Sequence, residues 1–433
     1  MLLAHAAGGG ALPAPTWLLS YIGIACMVLT AVALRSSWPS ARLNRFAPTD
    51  RTAEGDHATV TADGPAGPTI GQGIGIVLLG LAFATALGGP TAFNEQAGNI
   101  APVAVTIVWW VSLPILVLLV GDVMAAINPF VGIVSLVERV RPDRSPAAPP
   151  PAWVPAVFLG CFAWYLLAYY RPGSPRALAL FLAVYTAAAI AAGLRWGSAW
   201  LRTGEGFGAL SASIARFSLR PSRTVVPGAA ALMVAWLGGV LFDGISITDF
   251  WVTDVLGATR GWGRTGLNTL GLVWMTAIAG GVVLLAFRFT STASTPSVDG
   301  DVDDAGPADP RSALAARVGL AFVPLAVGWF IAHDLSLLLA AGQDFLALLS
   351  DPFGRGWDLF GTINRTPWYG WVDATWLGWV QVVAILVGHV AAVVVGYDLA
   401  LRLLGRRAGM TVTWAIAFIA AVSISAAALL VLE

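Results

Sequence analysis

Four histidines occur in this chain, and two of them, His333 and His389, lie inside long apolar runs. An ionisable group at bilayer depth costs on the order of a few kcal/mol unless it is paired or reached by water, so such residues mark candidate sites of chemistry. At about 100° per residue, His333 shares one helix face with Ser336, Ala340 and Asp344, a polar stripe. His389 stands beside a row of small residues, Ala384, Gly388, Ala392 and Gly396, whose spacing of four lets another helix approach closely. The two runs are consecutive and antiparallel, which allows His333 and His389 to face one another. His5 falls on the same side of the membrane, whereas His57 falls in a loop on the other side and reads as solvated.

Three histidines on one side raise a metal site. Neutral imidazoles with a carboxylate suit zinc, copper or iron, and a bound metal brings the pKa of water toward neutrality. The candidate ligands are His333, His389 and His5, with Asp243, in the motif LFDG, and Asp344 as candidate catalytic carboxylates. A second reading is that each His donates one hydrogen bond across a helix interface and that Asp243 caps a turn at the membrane surface. Asp122 and Asp398 sit at helix ends, where carboxylates cost little, and read as structural. Cys26 and Cys161 each lie in an apolar run and read as buried small hydrophobes rather than a disulfide.

The elements that must position these residues follow from composition. With 57% hydrophobic and 11% charged residues, the chain is too apolar for a soluble domain of this length. It reads as a single all-α polytopic membrane domain over residues 1–433. Runs of about 20 apolar residues cover 16–34, 71–89, 101–121, 152–170, 176–194, 225–243, 266–287, 315–341, 375–400 and 411–431, about ten transmembrane helices. All 24 basic residues are Arg; 18 fall in one set of alternate loops and six in the other. By the positive-inside rule this places both termini outside the cytoplasm in a multi-pass protein of the cell (cytoplasmic) membrane. Zero net charge and the absence of any basic stripe exclude a nucleic-acid partner. The lipid bilayer is the expected partner.

The connections read as tethers. Residues 292–310 are acidic and rich in Pro, Gly and Ser, which predicts a disordered cytoplasmic linker. GEGFG, Gly204 to Gly208, lacks the strand and spacing of a phosphate loop and reads as a flexible loop. NPFVGIVSLVERV, Asn128 to Val140, carries an apolar stripe and is expected to lie along the inner membrane surface. Residues 344–374 form the longest connection on the outer side. Within it SDPFGRGWDLFGT, Ser350 to Thr362, reads as an irregular lid above His333 and His389, with Asp351, Arg355 and Asp358 pairing with each other or meeting substrate.

The stretch AHDLSLLLAAGQDFLALLSDPFGRGWDLFGT, Ala332 to Thr362, followed by VQVVAILVGHVAAVVVGYDLA, Val380 to Ala400, resembles the bacterial membrane proteins called fenitrothion hydrolases. GDVMAAINPF, the LFDG around Asp243 and the N-terminal segment with His5 are similar as well. The resemblance implies a polytopic protein and hydrolysis of an aryl phosphorothioate ester, with a hydrophobic small molecule as substrate. Two functions therefore stand from the sequence. In one, a metal-held hydroxide attacks an ester phosphorus in an outward-facing cavity. In the other, the chain is a transporter, or works beside a second membrane subunit, and its histidines relay protons or bind a transported metal.

Overall fold

The computed structural model describes residues 15–44, 68–92, 98–141, 146–293, 310–368, 370 and 373–431. His5, His57 and most of the expected linker, 294–309, lie outside the described residues. In chain order the helices are α1 (Thr16–Ser37), α2 (Ile70–Gly88), α3 (Ile100–Val120), α4 (Val123–Ile127), α5 (Pro129–Val140), α6 (Val154–Ala168), α7 (Pro175–Trp196), α8 (Ser198–Gly204) and α9 (Gly206–Ala215). After these come α10 (Ala229–Ser246), α11 (Gly261–Ala293), α12 (Pro310–Ala340), α13 (Asp344–Ser350) and α14 (Ala374–Val431). No strand occurs among the described residues. Eight stretches, in α1, α2, α3, α7, α10, α11, α12 with α13, and the first half of α14, are long and apolar enough to cross a bilayer. This is a multi-pass membrane protein.

Two of the expected spans differ from their sequence reading. The fourth forms the shorter α6, about 22 Å long at 1.5 Å per residue. The ninth and tenth join in α14, a single helix of 58 residues. The connecting residues 401–410 contain no proline to end the helix there, and Gly405 and Gly409 only weaken it.

Lipid offers no hydrophobic drive for helix association, so close packing and interhelical hydrogen bonds must supply it. The small-residue row does this for α12 and α14. A Cβ on Gly328 would lie 2.5 Å from the Ala384 carbonyl oxygen, and one on Gly388 3.0 Å from the Gly328 Cα. The pair α10 and α11 closes in the same way at Gly238, where a Cβ would lie 2.5 Å from the Thr276 Cα. Polar bonds add to the packing: Trp164 Nε1 donates to Thr269 Oγ1 at 2.9 Å and Trp251 Nε1 to Asn268 Oδ1 at 3.0 Å. Asp398, buried, accepts from Trp38 Nε1 and from the backbone N–H groups of Arg42 and Leu43, which clamps the chain after α1 onto α14. Asp122 caps α4 through Ala125 N at 3.0 Å. Asp122 stands at a helix end as read from the sequence, whereas Asp398 does not: it is fully buried within the continuous α14 and is held there by these donors. Cys161, read as a buried small hydrophobe, is exposed on the bundle surface.

Two connections read as peripheral are instead built into the bundle, on the side where the Arg-rich loops lie. The segment from Asn128 does not lie flat: Gly132 of α5 packs on Gln72 and Ile76 of α2, and five of its residues, Phe130, Val131, Gly132, Val134 and Ser135, are buried. GEGFG is the corner between α8 and α9, and all ten residues of α9 are buried. A Pro at the start of α5 and a Glu cap on α9 allow each segment to turn and re-enter as helix.

The loop Ser350 to Thr362 is tied by its own side chains. Ser350 Oγ accepts from Phe360 N and Thr362 N, both at 3.2 Å, and Asp351 accepts from Arg355 N at 2.8 Å and Gly356 N at 2.7 Å. Asp358 accepts from Ile363 N at 3.1 Å. The expected pairing of Asp351, Arg355 and Asp358 is thus replaced by carboxylate-to-backbone bonds, which suit a loop whose Gly354, Gly356 and Gly361 take positive φ and turn N–H groups inward. Phe353 packs on Gly88 and Gly354 approaches Pro90, so the loop is seated beside the end of α2.

Candidate functional site

The site begins with the parallel packing of α10 and α12. Gly319 sits against Ala229 and Ala230, a contact only a residue without Cβ permits. Fourteen residues further along each helix, about 21 Å, stand His333 and Asp243. Their equal distance from the contact makes them level, and His333 Nε2 lies 3.2 Å from Asp243 Oδ2. The His333 side chain is 4% exposed and that of Asp243 15%, so the contact is largely withdrawn from solvent. Asp334, the next residue on α12, is 4% exposed and interacts electrostatically with both.

Asp243 and Asp334 line one small cavity together with Trp110, Trp236, Gly239 and Phe330. Its volume, about 20 Å³, holds roughly one water. The indole Nε1 of Trp236, whose side chain lines this cavity, is buried and lacks a hydrogen-bond partner. Trp110 follows directly on a π-helical stretch, Val103–Trp109, and Leu166 and Leu167, which also line the cavity, lie in another, Trp164–Ala168. Wide turns of this kind re-aim side chains and recur at functional sites.

The remaining sequence candidates are placed elsewhere. His389 is fully buried with Nδ1 2.7 Å from the Ile385 carbonyl oxygen of its own helix. Relative to the Gly328–Gly388 crossing, His333 lies five residues toward one side and His389 one residue toward the other, an axial offset of about 9 Å. Asp344 starts α13, beyond a 3₁₀ turn, Ala341–Gln343, that interrupts the helical face it was expected to share with His333. His5 lies outside the described residues. Among the described residues no three His, Cys, Asp or Glu side chains come together as metal ligands. With His5 outside the described residues, no metal step is derived from His333 and its neighbours.

What the arrangement can do is hold and pass a proton. With two carboxyls and an imidazole this close together, a change in one group's charge is felt by the other two. Asp334 and Trp236 escape the sequence reading, Asp334 because it is overshadowed by its neighbour His333 and Trp236 because an indole in an apolar run looks like any other core aromatic. Glu205 escapes it too: it is wholly buried, yet it lies between glycines that signal a loop.

No family model, curated protein or solved structure matches this chain. The fold and site define a polytopic helical membrane protein with a buried carboxyl–imidazole cluster. The likeness to fenitrothion hydrolases rests on the residues quoted for it alone.

Proposed function

We propose that this chain is a transporter, or the membrane subunit of a transport complex, in which Asp243, His333 and Asp334 take up and release a proton. The observation that carries this reading is the His333–Asp243 contact at 3.2 Å, deep in the bundle, with Asp334 beside it and a water-sized cavity against both carboxyls. Size also argues against an ester substrate in this conformation. Pockets for drug-sized ligands run to about 300–1,000 Å³, and this one has about 20 Å³. The hydrolytic reading keeps one point of support, since a His–Asp pair is also the general base that would activate a water.

The distribution of Arg puts the loops after α1, α5, α7 and α11 in the cytoplasm of a cell-membrane protein. The cluster then lies in the outer half. With both termini outside, α14 must hinge near Arg402 to Arg407, because a straight helix of 58 residues, about 87 Å, would carry the apolar stretch 411–431 into water. A reporter active only in the cytoplasm, fused after Glu433, should be silent; activity there would reverse this arrangement.

The proton site is tested by infrared difference spectroscopy of the purified protein across pH. A protonated-carboxyl band should respond to pH, diminish in Asp334→Asn and shift in His333→Gln. Spectra unchanged by both substitutions would sink the proposal. Ester hydrolysis lost in His333→Gln while the carboxyl band stays fixed would favour the enzyme.

A further inference from the structure

The second buried carboxylate, Glu205, stands where two helical hairpins from the Arg-rich side meet. The first is α4, Asn128 and α5. Gly71 and Gly75 of α2 pack on the carbonyls of Ala126 and Ile127, and Gly132 on Gln72, so α5 turns back along α2 from a point five residues, about 8 Å, beyond Ile70. The second is α8, Glu205 and α9. Glu205 bonds Tyr185, at the centre of α7, and the neighbouring Phe207 ring is 6.3 Å from that of Trp110, at the centre of α3. Glu205 therefore sits near mid-depth of the bundle.

Both corners are helix N-termini. Asn128 Oδ1 accepts from Phe130 N at 2.9 Å and Val131 N at 3.2 Å. Glu205 Oε1 accepts from Phe207 N at 3.0 Å and from the Tyr185 hydroxyl, and Oε2 accepts from Gly208 N at 2.9 Å. The Asn128 amide nitrogen, in a residue 1% exposed, has no partner of hydrogen-bond geometry and lies beside the Glu205 carboxyl. Every polar group here that faces the carboxylate is a donor, and none is a cation: a phenol, an amide nitrogen and two backbone N–H groups at the positive end of a helix. That is the chemistry of an anion site. A helix cap alone would need only the short side chain of Ser, Asp or Asn, without a fully buried Glu and three elements converging on it.

We propose that the Glu205 carboxylate is a tethered occupant of a binding site for a small monovalent anion of the halide class. When the side chain swings aside, the anion takes its place among Tyr185 Oη, Asn128 Nδ2, Phe207 N and Gly208 N. This site stands apart from the Asp243–His333–Asp334 cluster and does not depend on how that cluster is read.

The test uses the full chain in detergent micelles with Glu205→Ala and Glu205→Ser, the second retaining a hydroxyl to cap α9. Thermal unfolding is followed in sodium chloride and in sodium gluconate at equal ionic strength. Chloride should raise the Tm of both variants saturably, by roughly 1–2 °C at ten times its Kd, and leave the parent protein unchanged. Adding Tyr185→Phe to Glu205→Ser should weaken the response at least several-fold. A folded Glu205→Ser variant indifferent to chloride, or a response untouched by Tyr185→Phe, overturns the proposal. Failure of both Glu205 variants to fold makes the carboxylate a structural cap and overturns it as well.

Discussion

The two buried acidic sites hold charge in opposite ways. Around Asp243 the compensation is a titratable partner, His333, with a second carboxyl and an open space alongside. Around Glu205 it is a set of fixed donors supplied by two helix ends and a phenol. Removing a carboxylate from water costs several kcal/mol in either place. A titratable partner lets the charge vary with protonation, whereas fixed donors favour whichever anion is present and change little. Aromatic rings separate the sites: Trp110 lies 5.1 Å from Phe330 on the cavity side, and Phe162 lies 5.0 Å from both Trp110 and Phe207 on the Glu205 side. The two buried acidic sites thus lie on either side of one apolar layer, one facing a titratable partner and the other fixed donors.

The comparison breaks most visibly at Glu205. Glu205→Leu fills the volume but leaves Tyr185 Oη, Phe207 N and Gly208 N buried without an acceptor. At about 1–3 kcal/mol for each stranded donor, the loss of stability should exceed ~3 kcal/mol and should show as a large drop in the temperature of monodispersity. A variant as stable as the parent would mean that water reaches this corner.

At the other site the same kind of change should be mild and unequal. Asp243→Asn keeps an oxygen for His333 but removes the charge, and should cost roughly 1 kcal/mol. Asp334→Asn removes a carboxyl that faces another carboxyl, and should be neutral or stabilising, within ~1 kcal/mol. Equal losses in the two variants, read by thermal unfolding, would mean that Asp334 is held by a bond as firm as that of Asp243.

The smallest effect belongs to a third carboxylate, one left in water. Asp351 is half-exposed, and the slight desolvation that would raise its pKa is outweighed by bonds from the backbone N–H groups of Arg355 and Gly356, which hold it below its ordinary 3.8. A folded pKa below the unfolded one stabilises above the unfolded value and ceases to do so as pH falls through the folded one. The loop should therefore be unchanged from neutrality down to about pH 5 and loosen only below 3.8. Protease cleavage near Gly354 reads this directly, and faster cleavage already at pH 6 would show that another group governs the loop.

Much of the frame is legible in residue order because lipid is a severe solvent. A span must be helical and apolar for about 20 residues, and runs such as 71–89 or 176–194 meet that test unaided. The row Ala384, Gly388 and its fellows is legible for a similar reason, since small residues every four positions let helices touch, and α12 indeed crosses there. His333 stands out because a His in an apolar run has to be explained. None of this reveals its partner. Asp243 is ninety residues away, and only the parallel register of α10 and α12, set by Gly319 against Ala229 and Ala230, makes the two level. The hairpins stay hidden because α4, α8 and α9 are too short to announce themselves as spans, and glycine beside Glu205 signals a turn wherever that turn lies. Local chemistry decided that the chain would turn at Asn128 and at Glu205. Whether those turns faced water or the middle of the bundle depended on neighbours distant in sequence, and the tertiary structure alone put them inside.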